Sequence, residues 1–219
     1  MITIKNLTKH YDNGLIKALN GVSLAIETGE AVSIMGPSGC GKTTLLSIMG
    51  TLDAPTEGEV WIDGSNIHAE GSFDRFRAHS LGFVFQFHHL IPNLSLLENV
   101  EIPMYALGIP GRQRREKASR LLEEMGLKER LSSLPSRVSG GERQRAAVAR
   151  ALANNPKIIL ADEPTGSLDT LTGDRIIQLL LALCTERRLT LVIATHNPEV
   201  AAKTGRTIWM RNGVTLQET

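Results

Sequence analysis

Residues 36–43 read Gly36-Pro37-Ser38-Gly39-Cys40-Gly41-Lys42-Thr43, and they stand between a short apolar run and a segment of helical periodicity. Two glycines separated by four residues and followed by Lys and Thr match the pattern of a phosphate-binding loop. The glycines let successive backbone N–H groups converge on phosphate oxygens, and the following helix directs its positive end at the same point. The pattern therefore predicts a nucleotide site formed by these residues and Thr44, with Lys42 facing the β- and γ-phosphates and Thr43 as a ligand of Mg²⁺.

The segments around this loop predict an α/β fold. An apolar run at 31–35 precedes the loop and helical periodicity follows at 42–49, which makes a chance glycine turn a poor explanation of the pattern. Two more apolar runs, at 157–162 and 189–194, flank a helical pattern at 171–187. A strand–helix–strand connection of this kind implies that the two strands are parallel. We therefore expect a P-loop core built on a parallel sheet.

Two other regions have different patterns. The first thirty residues alternate apolar and polar side chains between turn signals, which predicts antiparallel strands. From about 87 to 138 the periodicity is helical, with interruptions at Pro92, Pro103, Pro110 and Pro135. We interpret this second region as a helical subdomain inserted in the α/β core, so that residues 1–219 form a single nucleotide-binding domain.

The composition argues against several classes of protein. The chain has 219 residues, of which 42% are hydrophobic and 21% charged, and its net charge is +1, so it offers no support for nucleic acid held by bulk electrostatics. Two cysteines, Cys40 and Cys184, are too few for a disulfide framework, which predicts a reducing compartment. No run approaches the roughly 18 apolar residues of a membrane span, and residues 1–6 do not resemble a signal peptide. We expect a cytoplasmic protein that reaches a membrane only through a partner.

Two carboxylates stand side by side where a predicted strand ends. Asp162 follows four apolar residues, and Glu163 comes directly after it. Phosphoryl transfer needs an acid that helps to hold Mg²⁺ and a second group that orients or deprotonates the attacking water. The pair supplies both, Asp162 for the metal and Glu163 for the water. A charged strand end is the common alternative, but the phosphate loop in the same chain favours catalysis.

A second candidate phosphate site follows the helical region. The run Ser139-Gly140-Gly141-Glu142-Arg143-Gln144 precedes a predicted helix, rich in Ala and Arg, at 146–153. Ser-Gly-Gly at the start of a helix can hold an anion, although the same residues also make an ordinary N-cap. A single nucleotide needs only one phosphate loop, so a second loop in the same chain requires an explanation.

These motifs resemble those of the ATP-binding subunits of ATP-binding cassette (ABC) transporters, over essentially the whole chain. Residues 138–142 resemble the signature motif of that family, with Val138 in place of the usual Leu. The resemblance implies an ATPase that acts as a homodimer, in which Ser139, Gly140 and Gly141 of one copy, with Glu142 beside them, contact the γ-phosphate held by the other copy. It also implies ATP and Mg²⁺ as cofactors and separate integral membrane permease subunits as partners.

Four further positions match the family pattern. The resemblance implies that Tyr11 stacks on adenine and that Gln86 meets Mg²⁺ and the attacking water. It also implies that Asp169, in the run Ser167-Leu168-Asp169, belongs to a dimer-contact loop, and that His196 touches the γ-phosphate. Three of the four positions have a simpler alternative, since Tyr11 could be an ordinary strand aromatic, Gln86 a solvated strand end and His196 a neighbour of a helix cap.

One short region resembles a particular subgroup of the family. Residues 85–90 and the run Glu98-Asn99-Val100 are most similar to the ATPases of lipoprotein-releasing transporters, with those of macrolide and peptide efflux pumps and of the cell-division complex close behind. The cell-division relative leaves an alternative open, an ATP-dependent clasp that regulates a membrane partner. Family relatives that act in translation or DNA repair usually carry two cassettes or long coiled-coil insertions, and this chain has neither.

Overall fold

The computed structural model describes residues 1–69 and 73–216. In these ranges, ten strands form two sheets, and seven α-helices accompany them, most of them packed around the larger sheet. In chain order these elements are β1 (Ile2–Tyr11), β2 (Ile16–Ile26), β3 (Ala31–Met35), α1 (Lys42–Met49), β4 (Glu57–Ile62), β5 (Ser65–Asn66), α2 (Phe73–Ser80), β6 (Leu81–Phe85), α3 (Leu96–Tyr105), α4 (Gly111–Glu124), α5 (Gly140–Ala151), β7 (Ile158–Asp162), α6 (Thr170–Arg187), β8 (Thr190–Thr195), α7 (Pro198–Ala201), β9 (Arg206–Arg211) and β10 (Val214–Thr215).

The smaller sheet is built around β1 and has the strand order β2-β1-β4-β5. Strand β1 pairs antiparallel with both neighbours, which places Ile2 opposite Ile26 on one side and Ile62 on the other. This pairing confirms the antiparallel strands predicted from the alternation of the first thirty residues. The sequence pattern alone does not predict β4, β5 or α2.

The larger sheet has the strand order β10-β9-β3-β8-β7-β6. Five of its strands, β9, β3, β8, β7 and β6, are parallel to one another, and β10 turns back antiparallel to β9. The predicted strand–helix–strand unit is confirmed, since α6 joins the neighbouring parallel strands β7 and β8. Because parallel strands run in one direction, all five end at the same edge of the sheet.

The two faces of this sheet are covered by different helices. Successive side chains of a strand point to opposite faces. Leu160 and Val192 pack into a cluster with α1 and the smaller sheet, whereas Ile159 and Leu191 pack into a cluster with α3, α4, α5 and α6. The helix that follows the phosphate loop and the helix that follows the second glycine loop therefore lie on opposite faces.

Helix α5 begins earlier than the sequence pattern predicts, at Gly140 instead of residue 146. The cause is a capping box at its start, where the Ser139 hydroxyl accepts a hydrogen bond from the Glu142 N–H at 3.2 Å. The Glu142 carboxylate accepts a hydrogen bond from the Ser139 N–H at 2.7 Å in return. This reciprocal pair stabilises a first turn that glycine would otherwise disfavour, so the glycines belong to the helix.

Helices α3 and α4 lie where the sequence shows helical periodicity, and one proline lies within them. Pro103 stands inside α3, shortly before the helix ends at Tyr105, whereas the sequence pattern treats it as an interruption. None of the helices in the two described ranges is long and apolar enough to cross a membrane.

Asn99 holds the segment before α3 in place from inside the protein. The residue is 0% exposed. Its Oδ1 accepts a hydrogen bond from the Ile91 N–H at 2.7 Å, and its Nδ2 donates to the carbonyl oxygens of Ile91, Leu94 and Ser95 at 3.1, 3.0 and 3.0 Å. One buried amide thus binds both the backbone that enters the helix and the loop before it.

Replacing this amide should destabilise the protein. We expect Asn99→Ala to lower the free energy of unfolding by about 2–4 kcal/mol, because several buried backbone groups lose their partner at once. The change is measured by urea denaturation. The control, Gln113→Ala on the exposed side of α4, should shift stability by no more than about 0.5 kcal/mol. Equal stability of the two variants would contradict the assignment.

Candidate nucleotide site

The loop that joins β3 to α1 lies at the edge where the parallel strands end, and it packs against β9. A Cβ atom added to Gly36 would lie 2.1 Å from the carbonyl oxygen of Met210, so no larger residue fits. Gly41 caps α1 with φ of 106°, a left-handed conformation that favours glycine. The N–H of Gly213 donates a hydrogen bond to the carbonyl oxygen of Cys40 at 3.0 Å. The loop backbone is therefore fixed from outside by the β9–β10 hairpin.

Lys42, the first residue of α1, places its ammonium inside this loop. The Nζ atom donates hydrogen bonds to the carbonyl oxygens of Gly36 at 2.8 Å and Pro37 at 3.1 Å. Because an ammonium has three N–H donors, a third remains for another acceptor. Lys42 is 7% exposed, and a charge that is shielded from water acts more strongly on a nearby anion.

Thr43 and Asp162 meet beside the loop, although they are far apart in the sequence. The Thr43 hydroxyl donates a hydrogen bond to Asp162 Oδ1 at 3.2 Å. Burial raises the pKa of Asp162, and the charge of Glu163 raises it further, while the Thr43 hydrogen bond and the charge of Lys42 act in the opposite direction. A carboxylate crowded in this way is stabilised by a nearby cation, and hydroxyl and carboxylate oxygens are ligands that Mg²⁺ prefers.

Glu163 is held by backbone and side-chain contacts at the end of β8. Its φ of 45° lies in the left-handed region, and its N–H donates to the Ala194 carbonyl oxygen at 2.9 Å. Its carboxylate accepts a hydrogen bond from the Thr195 hydroxyl at 3.2 Å, and His196 Nδ1 lies 2.8 Å from its other oxygen. The structure thus brings together Glu163 and His196, two of the residues that the sequence analysis selects.

Gln86 follows β6 and lies close to the same edge. Phe85, the residue before it, is the β-sheet partner of Asp162. The Gln86 side chain packs against Gly166, where an added Cβ would be 2.8 Å from Gln86 Nε2, and the Ser167 hydroxyl donates to the Gln86 carbonyl oxygen at 2.8 Å. Gln86 is therefore fixed to the loop that follows the two carboxylates.

The second glycine loop opens into a cavity of its own, of about 520 Å³. The cavity is lined by the start of α5 and the start of α6, and Asp169 caps the latter by accepting a hydrogen bond from the Thr172 N–H at 2.9 Å. Three cations, Arg143, Arg145 and Arg175, also line it. This cavity has the positive charge and the helix start that an anion would need.

The two glycine loops of one chain face different places. None of residues 36–44 lines the cavity at Ser139. Helix α5 packs on β6, which is three strands away from β3 in the sheet, a separation of about 14 Å at the usual strand spacing. The loop at 36–43 and the loop at 139–141 therefore open at separate places on the chain.

Tyr11 lies at the end of β1, next to the first turn of α1. The Thr44 side chain acts to lower the pKa of the Tyr11 hydroxyl, against the larger effect of burial, and Tyr11 is 36% exposed. The structure therefore places Tyr11 beside the loop that carries the phosphate site. A residue that stacks on a nucleotide base must lie close to that loop.

Two residues of α5 bind the loops around Gln86, and the sequence analysis misses both. Gln144, which is 0% exposed, donates hydrogen bonds to the carbonyl oxygens of Pro164 at 2.8 Å and Phe85 at 3.3 Å. Arg150 donates to the carbonyl oxygens of His88 and His89, both of which have left-handed backbones with φ of 65° and 47°. The one sign of such a contact in the sequence is Gln144, a polar residue on a helix face that is otherwise rich in alanine.

Comparison with known proteins supports the family assignment. A model of the ABC transporter family matches residues 19–166. The chain is 49% identical to a Bacteroides fragilis protein named lipoprotein-releasing system ATP-binding protein LolD, over 97% of this chain and 99% of the relative. It is 46% identical to the LolD protein of Syntrophus aciditrophicus, over 97% of each chain.

The fold is also that of a solved ATP-binding cassette. The dimeric structure of MJ0796, a Methanocaldococcus jannaschii protein, in a post-hydrolysis state bound to ADP and Pi, matches with a TM-score of 0.91 and 46% identity. The match covers 100% of this chain and 98% of that structure. The predicted P-loop fold with an antiparallel β region is confirmed.

The contact of Arg150 with the loop after Gln86 can be tested directly. Arg150→Lys keeps the charge but loses the planar fork that reaches two carbonyl oxygens. We expect the amides of residues 86–91 to exchange with deuterium about five- to tenfold faster, measured by mass spectrometry, since the loop opens more easily. Arg145→Lys, in the same helix, is the control. Unchanged exchange in the Arg150 variant would contradict the assignment.

Proposed function

The chain belongs to the ABC transporter family and is an ATP-hydrolysing subunit, and we propose that it acts as a homodimer that powers an integral membrane permease. The observation that carries the proposal is the meeting of Thr43, Asp162 and Glu163 beside the phosphate loop. A metal-binding pair and a candidate base then lie where the γ-phosphate of a bound nucleotide would be.

We assign nucleotide binding to residues 36–44. The loop N–H groups and the remaining N–H donor of Lys42 bind the β- and γ-phosphates. Thr43 and Asp162 would hold Mg²⁺ with Gln86 as a further ligand, and the crowded charge of Asp162 supports this. When bound, the ion neutralises charge on the phosphate oxygens.

We assign to Glu163 the orientation and deprotonation of the attacking water. The Thr195 hydroxyl and the His196 ring hold its carboxylate, and the hydrogen bond to Ala194 holds its backbone, so the base is fixed before the substrate arrives. We propose that the other ring nitrogen of His196 contacts the γ-phosphate. One hydrogen bond, between Glu163 and His196 Nδ1, would then connect the catalytic base with the residue that contacts the γ-phosphate.

The separation of the two phosphate loops supports a head-to-tail homodimer. The cavity at Ser139, Gly140 and Gly141 includes none of residues 36–44, so these three residues are available to the nucleotide of a second copy. Arg145 and Arg175 add positive charge to the same cavity. The dimeric form of the MJ0796 cassette is consistent with this arrangement. We assign Asp169 to the contact between the two copies.

We propose that the permease binds at the segment after Gln86, which places the protein at the cytoplasmic face of a membrane. Phe87 is 69% exposed and Ile91 is 42% exposed, although both are large and apolar. Beside this segment lies a groove of about 300 Å³ to which His89 and Ile102 contribute. An amphipathic helix of the permease would place its apolar face there. Leu90 packs against the core instead, so Phe87 is the better residue to test.

We further propose that residues 87–138 act as a subdomain that moves when ATP closes the dimer. Arg150 of α5 binds His88 and His89 of this region, and Gln144 of the same helix binds Phe85 and Pro164, beside Gln86 and Glu163. Since two relatives are named for lipoprotein release, we infer that the permease releases lipoproteins or a chemically similar amphiphile, such as a macrolide or peptide.

The role of Glu163 is tested by Glu163→Gln, which keeps the shape but removes the base. ATP turnover should fall by about 10²–10⁴-fold while ATP binding remains, because the phosphate contacts are unchanged. ATP should then hold a stable dimer, which light scattering detects. Glu199→Gln, at an exposed position, is the control, and near-normal turnover of the Glu163 variant would remove this residue from the mechanism.

The same variant tests the dimer. Adding Ser139→Arg to Glu163→Gln should abolish the ATP-dependent dimer but leave ATP binding by the monomer, because the new side chain blocks only the partner's nucleotide. If the monomer of the double variant no longer binds ATP, the assignment of Ser139 to the second copy is wrong.

The permease surface is tested by Phe87→Glu. We expect this variant to keep its basal ATPase but to lose co-purification with integral membrane subunits after detergent extraction, since a buried charge opposes docking. Leu15→Glu, at a residue that is 86% exposed in the turn between β1 and β2, is the matched control and should keep the partner. Retained co-purification of Phe87→Glu would place the surface elsewhere.

A further inference from the structure

Three side chains form a network that fixes the ring of Tyr11. The Tyr11 hydroxyl donates a hydrogen bond to Asp53 Oδ2 at 2.7 Å. Lys9 Nζ donates to Asp53 Oδ1 at 2.7 Å and to the Ala54 carbonyl oxygen at 2.7 Å. The same Nζ lies 4.8 Å from the centre of the Tyr11 ring, over one of its faces. Each side chain of the network therefore contacts the other two.

The charge states of this network agree with its hydrogen bonds. Burial raises the pKa of Tyr11, and the hydrogen bond to Asp53 raises it further, so the phenol keeps its proton and donates. Partial burial raises the pKa of Asp53, but the hydrogen bonds from Lys9 and Tyr11 outweigh this effect and hold the pKa below its ordinary value. Asp53 is therefore a carboxylate that accepts from both neighbours.

The network joins the two elements that border the nucleotide site. Lys9 and Tyr11 are two residues apart on β1, so their side chains point to the same face. Asp53 lies in the loop after α1, where its N–H donates to the Ser47 carbonyl oxygen at 3.3 Å. The ring of Tyr11 is thus tied to the helix whose other end carries the phosphate loop, and the distance between ring and phosphate loop is fixed.

We propose that Lys9 and Asp53 are positioning residues for the nucleotide base. Asp53 fixes the Tyr11 ring through its hydroxyl, and Lys9 covers one face of the ring, so that the base stacks on the other face. This inference rests on the proposed nucleotide binding and on the stacking of adenine on Tyr11 that the family resemblance implies. A ring that is already fixed loses no rotamer freedom when the base binds, which increases affinity. Since every base has a face to stack, the network sets where the base lies and not which purine binds.

The test compares ligands with and without a base, by calorimetric titration of the full chain with ADP and with inorganic pyrophosphate. Tyr11→Phe keeps the ring but removes its hydroxyl, and Asp53→Asn leaves one acceptor oxygen where two are used. We expect each variant to bind ADP about three- to tenfold more weakly, and the double variant to be no weaker than either single variant. GDP should show the same loss as ADP, and pyrophosphate should bind all variants equally.

Tyr11→Ala separates this inference from the function on which it rests. Removing the ring should weaken ADP binding about tenfold or more. If Tyr11→Ala binds ADP as the wild type does, the base does not stack on Tyr11 and both proposals fail. If Tyr11→Ala binds ADP weakly but Tyr11→Phe and Asp53→Asn bind it as the wild type does, the base stacks on Tyr11 and the positioning role of Asp53 is overturned. Weaker pyrophosphate binding by Asp53→Asn would also overturn it, because Asp53 would then act through the phosphate loop.

Discussion

The parallel hydrogen-bonding register of β3, β8 and β7 is the constraint on which the site depends. It places Met35 opposite Thr195, and Asp162 opposite Ala194, so that three strands separated in the sequence end at one level. The residues that follow these strands therefore lie at the same edge of the sheet, which is where ligands bind in open α/β sheets. The hydrogen bond from the Glu163 N–H to Ala194 extends this register by one residue past the end of β7, and it turns the carboxylate toward β8.

Helix α5 connects the parts of the site that the sheet does not. Its start presents Ser139 to one cavity, while Gln144 and Arg150 bind the backbone on both sides of Gln86. A rigid helix with contacts at both ends transmits displacement instead of absorbing it. A shift at the start of α5 would therefore be passed to the segment after Gln86, which is the mechanical property that the proposed coupling to a permease requires.

The sequence predicts those features that short patterns encode. Strand β3 and helix α1 begin and end as their apolar runs predict, since a glycine loop with a lysine and a threonine carries its own local signal. The start of α5 is missed because two glycines disfavour a helix by propensity, although the spacing of Ser139 and Glu142 is that of a capping box. The contacts of Arg150 and Asp53 cannot be predicted from any short stretch of sequence, because each joins elements that only the fold brings close together.

The carbonyl of Met210 against Gly36 has a consequence for how the protein is made. The phosphate loop looks like a local motif, yet its wall comes from a strand far along the sequence, and Gly213 supplies a hydrogen bond to the same loop. During synthesis, a ribosome-bound chain that has not yet released residues 206–213 contains the whole motif but lacks this wall. Contacts between distant segments form late because their loop closure must come first. The phosphate loop of a nascent chain therefore gains this wall only after residues 206–213 have emerged and packed against it.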